Sequence, residues 1–123
     1  MLVKHLGELA EFTAGDDTRL REILNPDKDA ISARYSLAYA RLPQGSWSTL
    51  HVLRSSEVYY LLEGKGRMEI DGEQRKIQAG DTVYIPPNSK QRVYSEGPGD
   101  LVFLCVVDPA WRKEDENVLK YEV

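Results

Sequence analysis

The run Gly45-Ser46-Trp47-Ser48-Thr49-Leu50-His51-Val52-Leu53-Arg54-Ser55-Ser56-Glu57-Val58-Tyr59-Tyr60-Leu61-Leu62-Glu63-Gly64 decides the fold of this chain. It holds two short strand-like stretches, Thr49 to Leu53 and Glu57 to Leu62, rich in β-branched and aromatic residues. Arg54-Ser55-Ser56 breaks them, and Glu63-Gly64-Lys65-Gly66 closes the second with turn chemistry.

The same grammar continues on both sides. Upstream, Tyr35 to Leu42 reads as a strand that stops at Pro43-Gln44-Gly45. Downstream, strands are expected over Gly66 to Ile70, Gln74 to Ile77, Thr82 to Ile85, Gln91 to Ser95 and Leu101 to Val107. The breaks are Asp71-Gly72-Glu73, Ala79-Gly80-Asp81, Pro86-Pro87-Asn88 and Gly97-Pro98-Gly99. Asp71-Gly72 is a hairpin signal, because a primed turn needs positive φ, which Gly supplies freely and Asp tolerates. Many short strands with Gly/Pro turns indicate an all-β sandwich or barrel. Before this array, Leu20, Ile23 and Leu24 stand at helical spacing behind Asp16 or Asp17 as a cap, so a short helix is expected there, ended by Asn25-Pro26. After Pro109 a charged tail is expected to form a short helix or arm anchored by Trp111 and Leu119.

Spacing inside the array is more specific than strand periodicity. Gly45 is followed by five residues and His51, one more and Leu53, three more and Glu57, then six more and Gly64. Later, five residues separate Gly80 from Pro86, with Asn88, Gln91 and Ser95 beyond. This pattern resembles the two motifs of the cupin superfamily, Gly-x5-His-x-His-x3,4-Glu-x6-Gly and Gly-x5-Pro-x-Gly-x2-His-x3-Asn, and in particular the small one-domain cupins. The resemblance covers about 35–107 and implies a double-stranded β-helix, a jelly-roll-like barrel with a central pocket. On that reading residues 1–123 form a single domain, with an N-terminal segment 1–34 and a C-terminal tail 108–123. Asn88 stands where the family has glycine and is the next most tolerant residue for a left-handed turn. Gly64 and Gly80 are expected in tight turns where a side chain would clash.

In metal-binding cupins three histidines and one glutamate converge on an ion. Carried over, those positions are His51, Leu53, Glu57 and Gln91, so two histidines are replaced. The resemblance thus implies a degenerate site in which His51, Glu57 and Gln91 hold one divalent transition metal (iron, manganese, nickel or zinc) or, with imidazoles lost, no metal. If Glu57 points inward then so do Tyr59 and Leu61, and if Gln91 does then so does Val93. On the last strand either Phe103 and Cys105 or Val102, Leu104 and Val106 face inward; the resemblance favours Phe103 and Cys105. With Leu53 these make the expected pocket, while plain core packing explains each apolar member equally well. His5 is expected at the surface. Cys105, His51 and Glu57 have the residue types of a nucleophilic triad, but spacing does not bring them together.

The chain's 123 residues and 41% apolar content suit one globular domain. Its net charge of −4 argues against nucleic-acid binding through bulk charge. The longest stretch without a charged residue, Leu42 to Leu53, is too short for a transmembrane helix. Lys4, Glu8 and Glu11 interrupt any secretory signal, so a cytoplasmic location is expected. The single cysteine excludes an intramolecular disulfide. The functional expectation is a small-molecule-binding protein, with a metal-dependent reaction of dioxygenase or sugar isomerase/epimerase type on a small polar substrate as what the resemblance implies. A metal-free binding or sensing module is the alternative, and a metal-free lyase or isomerase using His51 as acid or base is a third. The resemblance also implies a homodimer, for which the outward row Val58, Tyr60 and Leu62 offers an apolar face.

Overall fold

The computed structural model describes residues 1–119. In chain order the strands are β1 (Phe12–Thr13), β2 (Arg19–Leu24), β3 (Ser36–Leu42), β4 (His51–Leu53), β5 (Ser56–Glu63), β6 (Lys65–Ile70), β7 (Glu73–Gln78), β8 (Thr82–Ile85), β9 (Lys90–Ser95), β10 (Leu101–Asp108) and β11 (Glu116–Val118). They form two antiparallel sheets. The six-stranded sheet runs β1-β2-β3-β10-β5-β8 and the five-stranded sheet β11-β4-β9-β6-β7, which is the jelly-roll arrangement of a double-stranded β-helix.

The eight strands expected from Tyr35 onward are all present, each with its centre where turn chemistry and alternation put it. Asp71 (φ 49°) and Gly72 (φ 86°) make the left-handed pair of the β6–β7 hairpin, and Asn88 (φ 63°) takes the left-handed turn expected of it. Gly64 combines a φ of 84° with close approach: a Cβ there would lie 2.6 Å from the Asp100 carbonyl oxygen. Gly80 differs from the expectation. Its φ is 95°, but no atom lies within 4 Å of an added Cβ, so backbone conformation alone selects glycine.

The expected helix near Leu20 is instead β2. Leu20 pairs with Ala40 and Glu22 with Ala38 on β3, so sheet pairing overrides a weak local periodicity. Asp16 does not cap a helix; its Oδ1 accepts hydrogen bonds from Thr18 N (3.1 Å) and Thr18 Oγ1 (2.6 Å), shaping the β1–β2 turn. The tail forms a 3-10 turn (Lys113–Asp115) and then β11, whose Val118 pairs with His51. Leu119 N donates to Leu50 O at 2.8 Å.

Both sheets feed one core, in which Leu42, Leu53, Leu61, Ile85, Leu101 and Phe103 are fully buried. Tyr59 and Phe103 lie ring against ring at 4.4 Å between centroids. The core fills one part of the interior and leaves a cavity beside it. Among the described residues no helix is long and apolar enough to cross a membrane.

Candidate functional site

The cavity has a volume of about 260 Å³ and lies between β2–β3 of one sheet and the β11–β4 side of the other. Its apolar wall includes Phe12, Leu20, Ala40, Phe103, Val107 and Trp111. Its polar wall is carried by Asp16, His51, Glu57, Tyr59, Cys105 and Glu116. Strand pairing explains the convergence. His51 opens β4 opposite Gln91 on β9, while Glu57 on β5 sits opposite Val107 on β10, in the other sheet.

His51 is 3% exposed. Its Nδ1 lies 3.0 Å from Thr49 O, and a carbonyl oxygen only accepts, so Nδ1 carries the proton. Nε2 has no hydrogen-bond partner among the described residues, and His51 lines the cavity. The nearest charged atom, Asp16 Oδ2, is 3.8 Å away, beyond hydrogen-bond reach.

Glu57 is equally enclosed and is held by two donors. Gln91 Nε2 donates to Oε1 at 2.7 Å and Cys105 Sγ donates to Oε2 at 3.2 Å. The other end of the Gln91 amide accepts from Tyr59 Oη at 3.2 Å, so a relay Tyr59–Gln91–Glu57–Cys105 joins the two sheets. Burial pushes the Glu57 carboxyl up from the ordinary range, against the opposing pull of His51, Cys105 and Gln91. Burial, and after it the neighbouring Glu57, raise the Cys105 thiol well above its ordinary value, leaving a hydrogen-bond donor where a nucleophile needs a thiolate. Glu116 is raised by burial as well, and its Oε2 accepts from Trp111 Nε1 at 3.3 Å.

The residues singled out from the sequence fall into two groups. His51, Glu57, Tyr59, Phe103 and Cys105 stand in the cavity wall, with Gln91 behind it as the bridge. Leu53, Leu61 and Val93 are packed in the core cluster and are not among the lining residues. Asp16, Glu116, Phe12 and Trp111 are wall residues that spacing did not reveal. They arrive through β1, β11 and the segments beside them, placed by pairings such as Phe12 with Leu20 and Val118 with His51.

The donor set does not suit a resident transition metal. Of the four family positions, Leu53 has no lone pair, and Gln91 spends one end on Tyr59 and the other on Glu57. Both Glu57 oxygens already accept hydrogen bonds. Among the described residues no group of three or more His, Cys, Asp or Glu side chains is arranged to hold an ion.

Comparison with known proteins places this geometry in context. Residues 38–107 match a family model described as Cupin domain. An uncharacterized protein of Methanocaldococcus jannaschii is 35% identical over 114 residues, 92% of this chain and 90% of that one. An oxalate-binding protein of Thermotoga maritima is 34% identical over 82 residues, 65% of this chain and 68% of that one. Among solved structures, a predicted oxalate decarboxylase of Thermotoga maritima superposes with a TM-score of 0.77 at 24% identity, covering 88% of this chain and 99% of that one. The nucleoside dehydratase Pac13 superposes with a TM-score of 0.79 at 18% identity, covering 100% and 94%. At these identities the structural likeness is one of fold.

Proposed function

This chain belongs to the cupin domain family, and from that premise we propose that it binds a small molecule in the cavity between its sheets, without a resident metal. The observation that carries this reading is His51. A buried imidazole whose Nδ1 is held by Thr49 O presents an Nε2 without a hydrogen-bond partner among the described residues to a cavity of about 260 Å³. An unpartnered ring nitrogen that lines a cavity is a hydrogen-bonding group available to a ligand. The relay through Gln91 holds Glu57 in place beside it, which makes the polar end of the cavity rigid before any ligand arrives.

A metal-dependent dioxygenase or isomerase, the reading implied by the family motif, requires a ligand set that Leu53 and Gln91 do not complete. Oxalate, the ligand named for the Thermotoga maritima relative, is not carried over either. A dianion needs cationic partners, and none of the described cavity-lining residues is Lys or Arg.

The presence of His51 and Glu57 in one cavity wall favours a second reading, metal-free proton transfer of lyase or isomerase type. An imidazole with an open nitrogen can exchange a proton, and the Glu57 carboxyl, raised by burial, is a second proton-exchanging group in the same cavity. The outward Val58, Tyr60 and Leu62 of β5, with exposed Tyr84 paired to Val58, support a homodimer formed through this sheet face. Light scattering at working concentration reads its mass against the 14.0 kDa chain.

The test of the binding reading is a thermal-unfolding screen of small polar and amphiphilic compounds on chelator-treated protein. Ligands raise the melting temperature of the wild type by mass action, and His51→Ala loses the response while keeping the fold. A response that survives His51→Ala unchanged overturns the assignment.

A further inference from the structure

The charges around the cavity do not balance. Asp16 and Glu57 are buried and Glu116 is partly buried, yet no Lys or Arg pairs with any of them among the described residues. Glu22, the fourth acidic residue of the wall, has Lys28 at 3.0 Å. Carboxylates taken out of water are ordinarily paired with a cation or heavily hydrogen-bonded. The one basic neighbour here is His51, a single imidazole set against three carboxyl groups, with Nε2 3.8 Å from Asp16 Oδ2.

The donors of the wall are largely spent on the wall itself. Thr18 Oγ1 donates to Asp16, Cys105 Sγ to Glu57, Trp111 Nε1 to Glu116 and Tyr59 Oη to Gln91. What remains facing the space is His51 Nε2 and carboxylate oxygens, with the uncharged hydroxyls of Thr13 and Ser36. Such a surface fits a ligand that donates hydrogen bonds and brings positive charge. The rest of the wall suits a hydrocarbon body, since Phe12, Leu20, Phe103 and Trp111 line it, and aromatic faces also favour a nearby cation. A volume of about 260 Å³ is far more than a bare ion fills.

We infer that the cavity takes a small organic amine, its ammonium held among Asp16, Glu57 and Glu116 with one N–H directed at His51 Nε2, and its apolar body against Phe12, Leu20 and Trp111. This rests on the reading of the cavity as a metal-free ligand site and names the chemical class that site selects.

The test uses chelator-treated full-length protein and matched trios of compounds: an amine, the corresponding alcohol and the corresponding carboxylate, each on cyclohexylmethyl, benzyl and n-butyl bodies. Affinity is read by thermal shift and by isothermal titration. The amines bind, roughly tenfold or more tightly than their alcohols, the margin of one charge-assisted over one neutral hydrogen bond, and the carboxylates bind weakest. Asp16→Asn and Glu57→Gln each erase most of the amine-over-alcohol preference. Should Glu57→Gln fail to fold by circular dichroism, the partly exposed Glu116→Gln carries the same comparison. Alcohols or carboxylates that match or beat the amines overturn the amine class and leave the ligand site standing. Silence from every member of every trio overturns both the amine class and the site. A thermal shift from Mn²⁺ or Zn²⁺ alone that exceeds every amine's, and is lost in the same variants, overturns the inference in favour of a metal.

Discussion

Gln91 Nε2 donates to Glu57 Oε1 at 2.7 Å, across the gap between β9 of one sheet and β5 of the other. The motif position at which the cupin pattern carries histidine here carries an amide, and that amide bridges two side chains. Its carbonyl takes the Tyr59 hydroxyl and its amino group takes the carboxylate. The glutamine at this place is a structural link between the sheets, and it commits Glu57 to a fixed orientation beside the cavity.

Replacing Gln91 with Leu leaves a buried carboxyl and a buried phenol without their partner. The expected cost is about 3 kcal/mol of folding free energy, against about 1 kcal/mol for Tyr59→Phe, which removes a single neutral donor. Urea unfolding of the two variants checks the order; equal effects would show that the bridge to Glu57 contributes nothing.

The raised pKa of Glu57 has a defined consequence for stability. Between the ordinary glutamate value of 4.5 and its higher folded value, the folded protein holds a proton that the unfolded chain has released. The group's stabilising contribution is therefore complete below the unfolded pKa and is lost as pH rises through the folded one. Glu57→Gln has nothing to titrate there. The stability of the wild type relative to Glu57→Gln should fall as pH rises across that window, whereas Glu69, lowered chiefly by its hydrogen bond from Arg92, works with opposite sign in both proteins and cancels. Denaturant melts at successive pH values read this difference directly, and a flat difference would mean that Glu57 titrates alike in both states.

Metal content separates the two readings of the motif. Protein purified without chelator is expected to carry far less than one transition metal per chain, and to keep its melting temperature after chelator treatment, because Leu53 and the bridged Gln91 complete no ligand set. Elemental mass spectrometry measures the first, thermal unfolding the second. Near one equivalent of a single metal would return His51 and Glu57 to the role of ligands.

Two glycines of the same motifs should respond unequally to alanine. At Gly64 the new methyl meets the Asp100 carbonyl on top of a left-handed φ, and the expected cost is about 3 kcal/mol or more. At Gly80 only the backbone conformation objects, at about 1–2 kcal/mol. Equal losses in chemical denaturation would show that conformation alone governs both positions.

Much of this architecture is written locally. Strand periods, Gly/Pro punctuation and the spacing from Gly45 to Gly64 locate β3 to β10, because sheet alternation and positive-φ turns depend on a few neighbouring residues. The same spacing identifies His51, Glu57 and Gln91 as positions of interest. Three things were decided only by the folded chain. The segment around Leu20 became a strand because β3 offered it partners, whatever its own periodicity favoured. Asp16 and Glu116 joined His51 because β1, β2 and β11 close on the cavity from opposite ends of the sequence, and no local pattern encodes such a contact. The direction of the Gln91 amide followed from Tyr59 and Glu57 lying across the gap between the sheets. A sequence names the groups that carry lone pairs and charges; which of them are left to face a ligand depends on which others the fold has already paired.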